Sequence, residues 1–326
     1  CISNVNFDLG SINNYLSRFF AAGFYYKTFM GIPPFEWGSG TKVWMFFEKI
    51  IRKAAGMGQN SRLPDPDVYE HANDFCDVLI VGSGPAGIAA AKEAADKKLD
   101  VILVEQDSLL GGDQLSEENF SSDNIKNELL GLGVRIMNRT TAFGLYDNSV
   151  VGLIERVKDH IPYGQNELPR QRFWIVRSKY IIVGSGAFER HIAFNNNDIP
   201  GSMTVNASKH YLNRYGILTG KNIAIATNND STYLTAEILS KAGANVTVID
   251  NRYKINTELI NNNFEVKCGV LPYNINGKRN IKSIDIANSN SSPFKKIDTI
   301  PCDQVLMSGG WSPAVHLLSH RGVRPI

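Results

Sequence analysis

Three glycines carry the first chemical signal. "VGSGPAG" sets Gly82, Gly84 and Gly87 in G-x-G-x-x-G spacing, directly after the apolar run "DVLIV" and ahead of the alanine-rich stretch Ala86–Ala95. In a strand–turn–helix, Gly82 permits the tight turn, Gly84 lets a diphosphate reach the backbone, and Gly87 lets the helix lie close on the strand. The helix N-terminus then presents unpaired N–H groups and the positive end of its dipole to the phosphates. Glu105 closes the next apolar run, "VILVE", 23 residues after Gly82. A carboxylate there can accept both hydroxyls of an adenosine ribose. The chemistry written here is the capture of a dinucleotide. Gln106 and Asp107 follow Glu105 where an arginine would serve a 2′-phosphate, so a 2′-phosphate meets like charge and no cation. NADP is disfavoured, and NAD or FAD remains. "LLGGD" adds Gly112 and Asp113 in a further glycine turn just beyond.

A second unit repeats this pattern without its glycines. In "NIAIATNNDSTYLTAEILSKAGANVTVID", Thr227 stands at the place of Gly82, Asn229 at that of Gly84, Thr232 at that of Gly87 and Asp250 at that of Glu105, each 145 residues on. The constant offset predicts a second βαβ unit. The turn chemistry predicts that its phosphate cradle is gone, because a side chain at Asn229 takes the space a diphosphate would need. Asn228 and Asn229 tolerate left-handed geometry, so the turn can form without glycine. Asp230 reads as the N-cap of the following helix.

The other polar residues assemble no further constellation. His71, His160, His191, His210, His316 and His320 have no metal-ligand spacing, although His316 and His320 could share a helix face. No metal site is expected, and no catalytic group can be assigned. Cys1, Cys76, Cys268 and Cys302 are far apart with no Cys-x-x-Cys, which excludes a zinc knuckle and a thioredoxin-type redox pair and suggests a reduced, cytoplasmic setting. Net charge is +2 with Lys and Arg scattered, so no nucleic-acid partner is indicated. No run of 18 apolar residues occurs, so no membrane span is written. Trp311, after Gly309 and Gly310, could line a cofactor or a subunit interface, and "FYYKTF" a subunit contact or plain core.

The elements that must position these residues follow from the apolar pattern. The fold class expected is α/β, with two Rossmann-like βαβ units and an N-terminal helical lead-in. "KVWMFFEKIIRKAAGMG" reads as an amphipathic helix and "LPDPD" as a linker. Further strands are expected at "VRIM", "TTAFGLYD" and "VVGLIERV", the last two as a hairpin, then two within "RFWIVRSKYIIVGSGA". "FEVKCGV", "IKSIDIAN" and "QVLMSGG" complete the set, with turns at Asn261–Asn263 and Asn288–Asn290. The divisions expected are 1–70, the helical lead-in; 71–190, a first dinucleotide-binding domain with an inserted hairpin; 191–310, a glycine-poor second domain; and 311–326, a return to the first. The chain begins at Cys1 and stops soon after a Gly-Gly turn, which suggests a segment of a longer polypeptide.

Two dinucleotide units joined by "GSGAFER…IPG" resemble the two-dinucleotide-domain flavoproteins. The resemblance narrows over "AGFYYKTFM", "IIRKAAGMG", "PDPDVYEHANDFCDVLIVGSGPAGIAAA", "IPGSMT", "YLNRYGILTGKNIAIATNNDSTY" and "SGGWSPAVHL". These stretches, in this order, resemble the α subunit of heterotetrameric sarcosine oxidase, in which the "TNNDS" turn is itself typical. The resemblance implies a complex of α, β, γ and δ subunits that oxidises the N-methyl group of sarcosine, giving glycine, hydrogen peroxide and a one-carbon unit captured by tetrahydrofolate. It implies FAD and FMN mainly on the β subunit, tetrahydrofolate on a C-terminal domain outside this chain, and NAD in the first unit here. By position it implies NAD contacts at Ala86, Glu105, Gln106, Asp113 and Ala142, beside the glycines. At Gln106–Asp107 the family more often has an acid followed by a base, and at Asp113 Thr or Ser. The alternatives are the equivalent subunit of an opine or amine dehydrogenase holding FAD, and a non-catalytic module braced by a nucleotide.

Overall fold

A computed structural model describes residues 60–319, except 118, 163–167, 257 and 259–262, together with a few isolated positions on either side. The chain divides after Pro66 into two units. Of the first, Met45, Glu48, Lys49, Arg52 and Lys53 are described and are helical, with Arg52 Nε donating to Glu48 at 2.8 Å. Gly58 and residues 60–68 are described without helix or strand, and β1 takes up the last two residues of the expected lead-in; its other residues, including "FYYKTF", lie outside the described residues, as do Cys1, Asn261, Asn262 and His320.

The second unit holds two open sheets. In the first, β1 (Tyr69–Val81) pairs in parallel with β2 (Val101–Val104) and with β6 (Gln171–Val183). The outer strands are β3 (Arg135–Met137), β4 (Thr140–Tyr146) and β5 (Val150–Arg156), giving the order β3-β2-β1-β6-β5-β4. Helix α1 (Pro85–Asp96) joins β1 to β2, and α2 (Ser122–Gly131) leads into β3. Val78, Ile80, Val101 and Leu103 pack under α1 and α2, while Leu79, Ile102, Leu153 and Val176 fill the opposite face. A strand apolar on both sides is what a central parallel position requires.

The second sheet is entirely parallel. Its order is β11-β10-β9-β15-β8, from β11 (Glu265–Cys268), β10 (Asn245–Asp250), β9 (Asn222–Thr227), β15 (Gln304–Ser308) and β8 (Ser202–Thr204). Helix α3 (Val205–Tyr215) leads into β9, and α4 (Thr232–Lys241) crosses from β9 to β10. The repeat seen in sequence is a repeat in register: Val78 faces Val101 and Val81 faces Val104, while Ile223 faces Val246 and Ala226 faces Ile249, each pair 145 residues on. The two central strand pairs are therefore aligned residue for residue. An antiparallel sheet of β12 (Val270–Gly277), β13 (Ile281–Asn288) and β14 (Lys296–Pro301) covers one face. Two short strands, β7 (Ala187–Glu189) and β16 (Trp311–Pro313), pair antiparallel where the chain passes between the two sheets. A single-turn helix, α5 (His316–Ser319), follows.

Four readings of the sequence are corrected. "RFWIVRSKYIIV" is one strand, because alternation lets Arg177 and Lys179 face solvent while Val176 and Ser178 stay buried. β1 begins at Tyr69, eight residues before the apolar run, because its polar half still pairs with β6. The strand β12 went unread because Pro272 and three Asn or Gly residues break its pattern, and Pro272 falls at a register shift. β14 also carries no continuous apolar run, with Ile297 exposed and Ile300 buried. Asn288–Asn290 does turn, with Asn290 N donating to the Asn288 side chain at 3.0 Å.

Candidate nucleotide-binding site

The first glycine turn is built by close approach. Gly82 has φ +98°, and a Cβ there would lie 2.4 Å from the Gly184 carbonyl oxygen. A Cβ on Gly87 would fall 1.8 Å from the Gly82 carbonyl oxygen, so α1 sits as close to β1 as glycine allows. Gly84 differs, because a Cβ there would meet nothing within 4 Å. The space above it is open, as a diphosphate needs. Gly112, at φ +57°, stands opposite, with its Cβ position 3.0 Å from Gly84 Cα. Gly84 caps α1 without a side-chain acceptor, which leaves first-turn N–H groups available to a ligand. The donor set and the cradle therefore fit a dinucleotide diphosphate.

These residues border one cavity of about 500 Å3. Gly82, Gly84, Glu105, Gln106, Gly112, Asp113 and Ala142, each expected from sequence, line it. Gly87 is buried under the turn, and Ala86 is exposed and off the lining. Glu105 is 8% exposed, and its carboxylate accepts Ser83 N at 2.8 Å, Ser83 Oγ at 2.6 Å and Asp107 N at 2.8 Å. A carboxylate has about four acceptor directions. One remains, so a second ribose hydroxyl must displace the Ser83 hydroxyl.

Contacts distant in sequence complete the wall. Helix α3 brings Asn206 and His210 to the cavity, and the crossing strands bring Phe188 and Trp311. Asp113 accepts from Lys209 Nζ at 3.2 Å and pairs with His210 Nε2 at 3.1 Å, while His210 Nδ1 meets Ser116 Oγ at 2.8 Å. The hydrogen bond from His210, with help from Lys209, holds the Asp113 carboxyl well below the usual carboxylate range against the opposing cost of burial. Asp107 pairs with Arg214 at 2.9 Å, and Arg156 donates to the Gln106 carbonyl at 2.5 Å. The expectation of no cation beside Gln106 and Asp107 is thus corrected: two guanidiniums arrive there from other elements. No local motif announced Asn206, His210, Arg156 or Arg214.

The second turn spends its polar groups on itself. Asn229 Nδ2 donates to the Ser308 carbonyl and hydroxyl, both at 3.2 Å, and Asn229 Oδ1 accepts from Ser231 N and Oγ. The side chain expected to obstruct a diphosphate crosses the turn in this way. Neither Asn228 nor Asn229 is left-handed; Thr227 Oγ1 shapes the turn by bonding both the N–H and the carbonyl of Asn229. Asp230 is not the N-cap, a position held by Ser231; its carboxylate pairs with Arg252 at 2.7 Å. Asp250, the counterpart of Glu105, is fully buried and accepts Tyr233 Oη at 2.8 Å and Arg252 at 2.8 and 3.1 Å. Where a ribose would lie, a guanidinium and a phenol lie instead.

Among the described residues no group of His, Cys, Asp and Glu could hold a metal ion, and no helix is long and apolar enough to cross a membrane. Trp311 lines the first cavity, and its Nε1 donates to Ser231 Oγ at 3.3 Å.

Two Rossmann-like units, one with an open phosphate cradle, define a nucleotide- or flavin-binding oxidoreductase, and residues 76–324 match the pyridine nucleotide-disulphide oxidoreductase family. The fold is similar to that of Lactococcus lactis thioredoxin reductase, at TM-score 0.58 and 20% identity over 76% of this chain and 82% of that one. The chain is 38% identical to sarcosine oxidase subunit alpha of Rhizobium meliloti over 98% of its length and 32% of that protein's. It is 33% identical to the subunit of the same name from Corynebacterium sp. over 82% of its length and 29% of that protein's. The chain belongs to the sarcosine oxidase α-subunit family and spans about a third of the length of these relatives.

Proposed function

We propose that this chain is the nucleotide-binding part of an α subunit in a sarcosine oxidase complex, and that its first unit binds NAD. The observation that carries the reading is the pairing of an open Gly84 with the Glu105 carboxylate across one cavity, while the matching positions of the second unit are filled by Asn229 and Arg252. NAD would lie with its diphosphate over the open side of Gly84, at the N-terminus of α1. Its adenosine would lie toward Glu105, Gln106 and Ala142, and its nicotinamide end toward Phe188 and Trp311. Bound NAD supplies a hydride-accepting ring. The chain's own residues bind and orient: Glu105 fixes the ribose, and Gly84 N and the α1 dipole hold the phosphates. Kinship with the sarcosine oxidase α subunits supports NAD over FAD, a complex with β, γ and δ subunits, and sarcosine as the amine oxidised. FAD and FMN on the β subunit and tetrahydrofolate on a C-terminal domain of the α subunit complete the reading. Amine oxidation itself is assigned to the β subunit, so the isolated chain has no sarcosine oxidase activity. The test is to release the cofactor from the purified complex, with β-bound flavins separated first. A colourless nicotinamide nucleotide retained by the α subunit is expected. A yellow flavin on the α subunit would overturn the NAD assignment and favour an opine or amine dehydrogenase type of subunit.

A further inference from the structure

A second cavity lies at the other βαβ unit. It measures about 450 Å3 and opens at the carboxyl ends of β9 and β10, beside Thr227 and Asn251. Ligands of open α/β sheets bind outside the carboxyl ends of the strands, at this level of the fold. The diphosphate route is closed there, because Asn229 crosses the turn and Arg252 is held by Asp230 and Asp250. The cavity borders that turn through Thr227 and Asn228 and is preformed. Asn251 N donates to the Thr227 carbonyl at 3.2 Å and ties the two strand ends together. The wall formed by Ile192–Asn195 is braced by Asn195 N to the Tyr273 carbonyl at 3.3 Å, Ile275 N to the Asn195 carbonyl at 3.0 Å, and Asn197 Nδ2 to the Ile192 carbonyl at 2.9 Å.

Its chemistry is specific in kind. Three rings, Phe194, Tyr273 and Phe294, line it, and Tyr273 and Phe294 are 38% and 51% exposed. Rings held open to solvent around a concavity mark a surface that gains by being covered. Three asparagines, Asn195, Asn228 and Asn251, share the lining. Among the described residues the amides of Asn195 and Asn251 have no hydrogen-bond partner, and Asn228 uses only its carbonyl oxygen, toward Asn229. Each amide offers an acceptor and two donors, the complement of a purine edge, and aromatic rings stack on any base face. No lining residue carries a formal charge.

We propose that this cavity binds an uncharged purine-type heterocycle, as free base or nucleoside, stacked against Tyr273 or Phe294 and hydrogen-bonded by Asn251 and Asn195. The missing cations and the self-satisfied turn exclude its phosphates. The second unit has thus lost a dinucleotide cradle and kept a base pocket beside it. The cavity shares no lining residue with the first one, and its test rests on NAD filling the first.

The test titrates adenosine into the full assembly by calorimetry with NAD already saturating, so that adenosine cannot report on the first cavity. Saturable adenosine binding is expected, with AMP at least tenfold weaker. Tyr273→Ala and Asn251→Ala should each weaken adenosine at least fivefold. Phe294→Leu provides a second aromatic variant if Tyr273→Ala does not fold. No binding under NAD saturation, binding insensitive to the Tyr273, Phe294 and Asn251 changes, or AMP binding as tightly as adenosine would each overturn the proposal.

Discussion

Replacing Gly84 with valine separates nucleotide binding from folding. Gly84 sits at φ −68°, which a β-branched residue adopts, and a Cβ there meets no atom within 4 Å. The unliganded protein should therefore lose no more than about 0.5 kcal/mol, the range of surface changes. The added methyl groups enter the open space above Gly84, where the diphosphate would lie. At a nucleotide concentration of about 100 times Kd, binding to the native state alone stabilises by about 2.7 kcal/mol. At about 2–4 °C per kcal/mol for a unit of this size, NAD should raise the wild-type Tm by about 5–11 °C. In Gly84→Val the unliganded Tm should move by no more than about 2 °C, and the NAD-dependent rise should vanish. Differential scanning fluorimetry with and without NAD reads both quantities. A variant that keeps the full rise would refute a diphosphate at Gly84; one that melts far lower without ligand would refute the open space above it.

Gly87→Ala should behave oppositely, costing 3 kcal/mol or more or failing to fold, because its Cβ would lie 1.8 Å from the Gly82 carbonyl; denaturant unfolding measures it. Arg252→Ala should cost about 3–5 kcal/mol in the same assay, since it strips cationic partners from the fully buried Asp250. Asp113→Asn should cost on the order of 0.5–1 kcal/mol at neutral pH, the pair being half exposed and screened. Because its folded pKa is depressed, Asp113 contributes above its unfolded pKa of about 4 and loses that contribution as pH falls through the folded value, so the variant's stability should decline less below about pH 4. Burial pushes the Cys76 thiol up to about 11 and the Cys302 thiol up to about 12, so neither should react with a thiol reagent in the native state, whereas Cys268→Ser should remove one accessible thiol.

What was legible in the sequence is local. The glycine turn, the acid one strand later and the 145-residue repeat are all set by residues close in the chain, because turn geometry and strand burial act over a few residues. Gly82, Gly84, Glu105 and Gly112, singled out in this way, line one cavity. Strands whose apolar residues do not run together, such as β12 with its Pro272, were invisible because only their partners make them strands. The same limit applied to the site. His210 on Asp113, Arg214 on Asp107 and Arg156 on Gln106 lie 50 to 107 residues from the groups they meet. Asn229 could be seen to obstruct a phosphate, but not that it would bond Ser308 across the sheet, nor that Arg252 would seal Asp250. Sequence alone showed that one unit carries the glycines of a phosphate cradle and the other does not. Only the tertiary structure decided what fills the empty cradle and what surrounds the open one, because hydrogen bonds and charges are satisfied by whatever folding brings within 3 Å or so, whatever its distance along the chain.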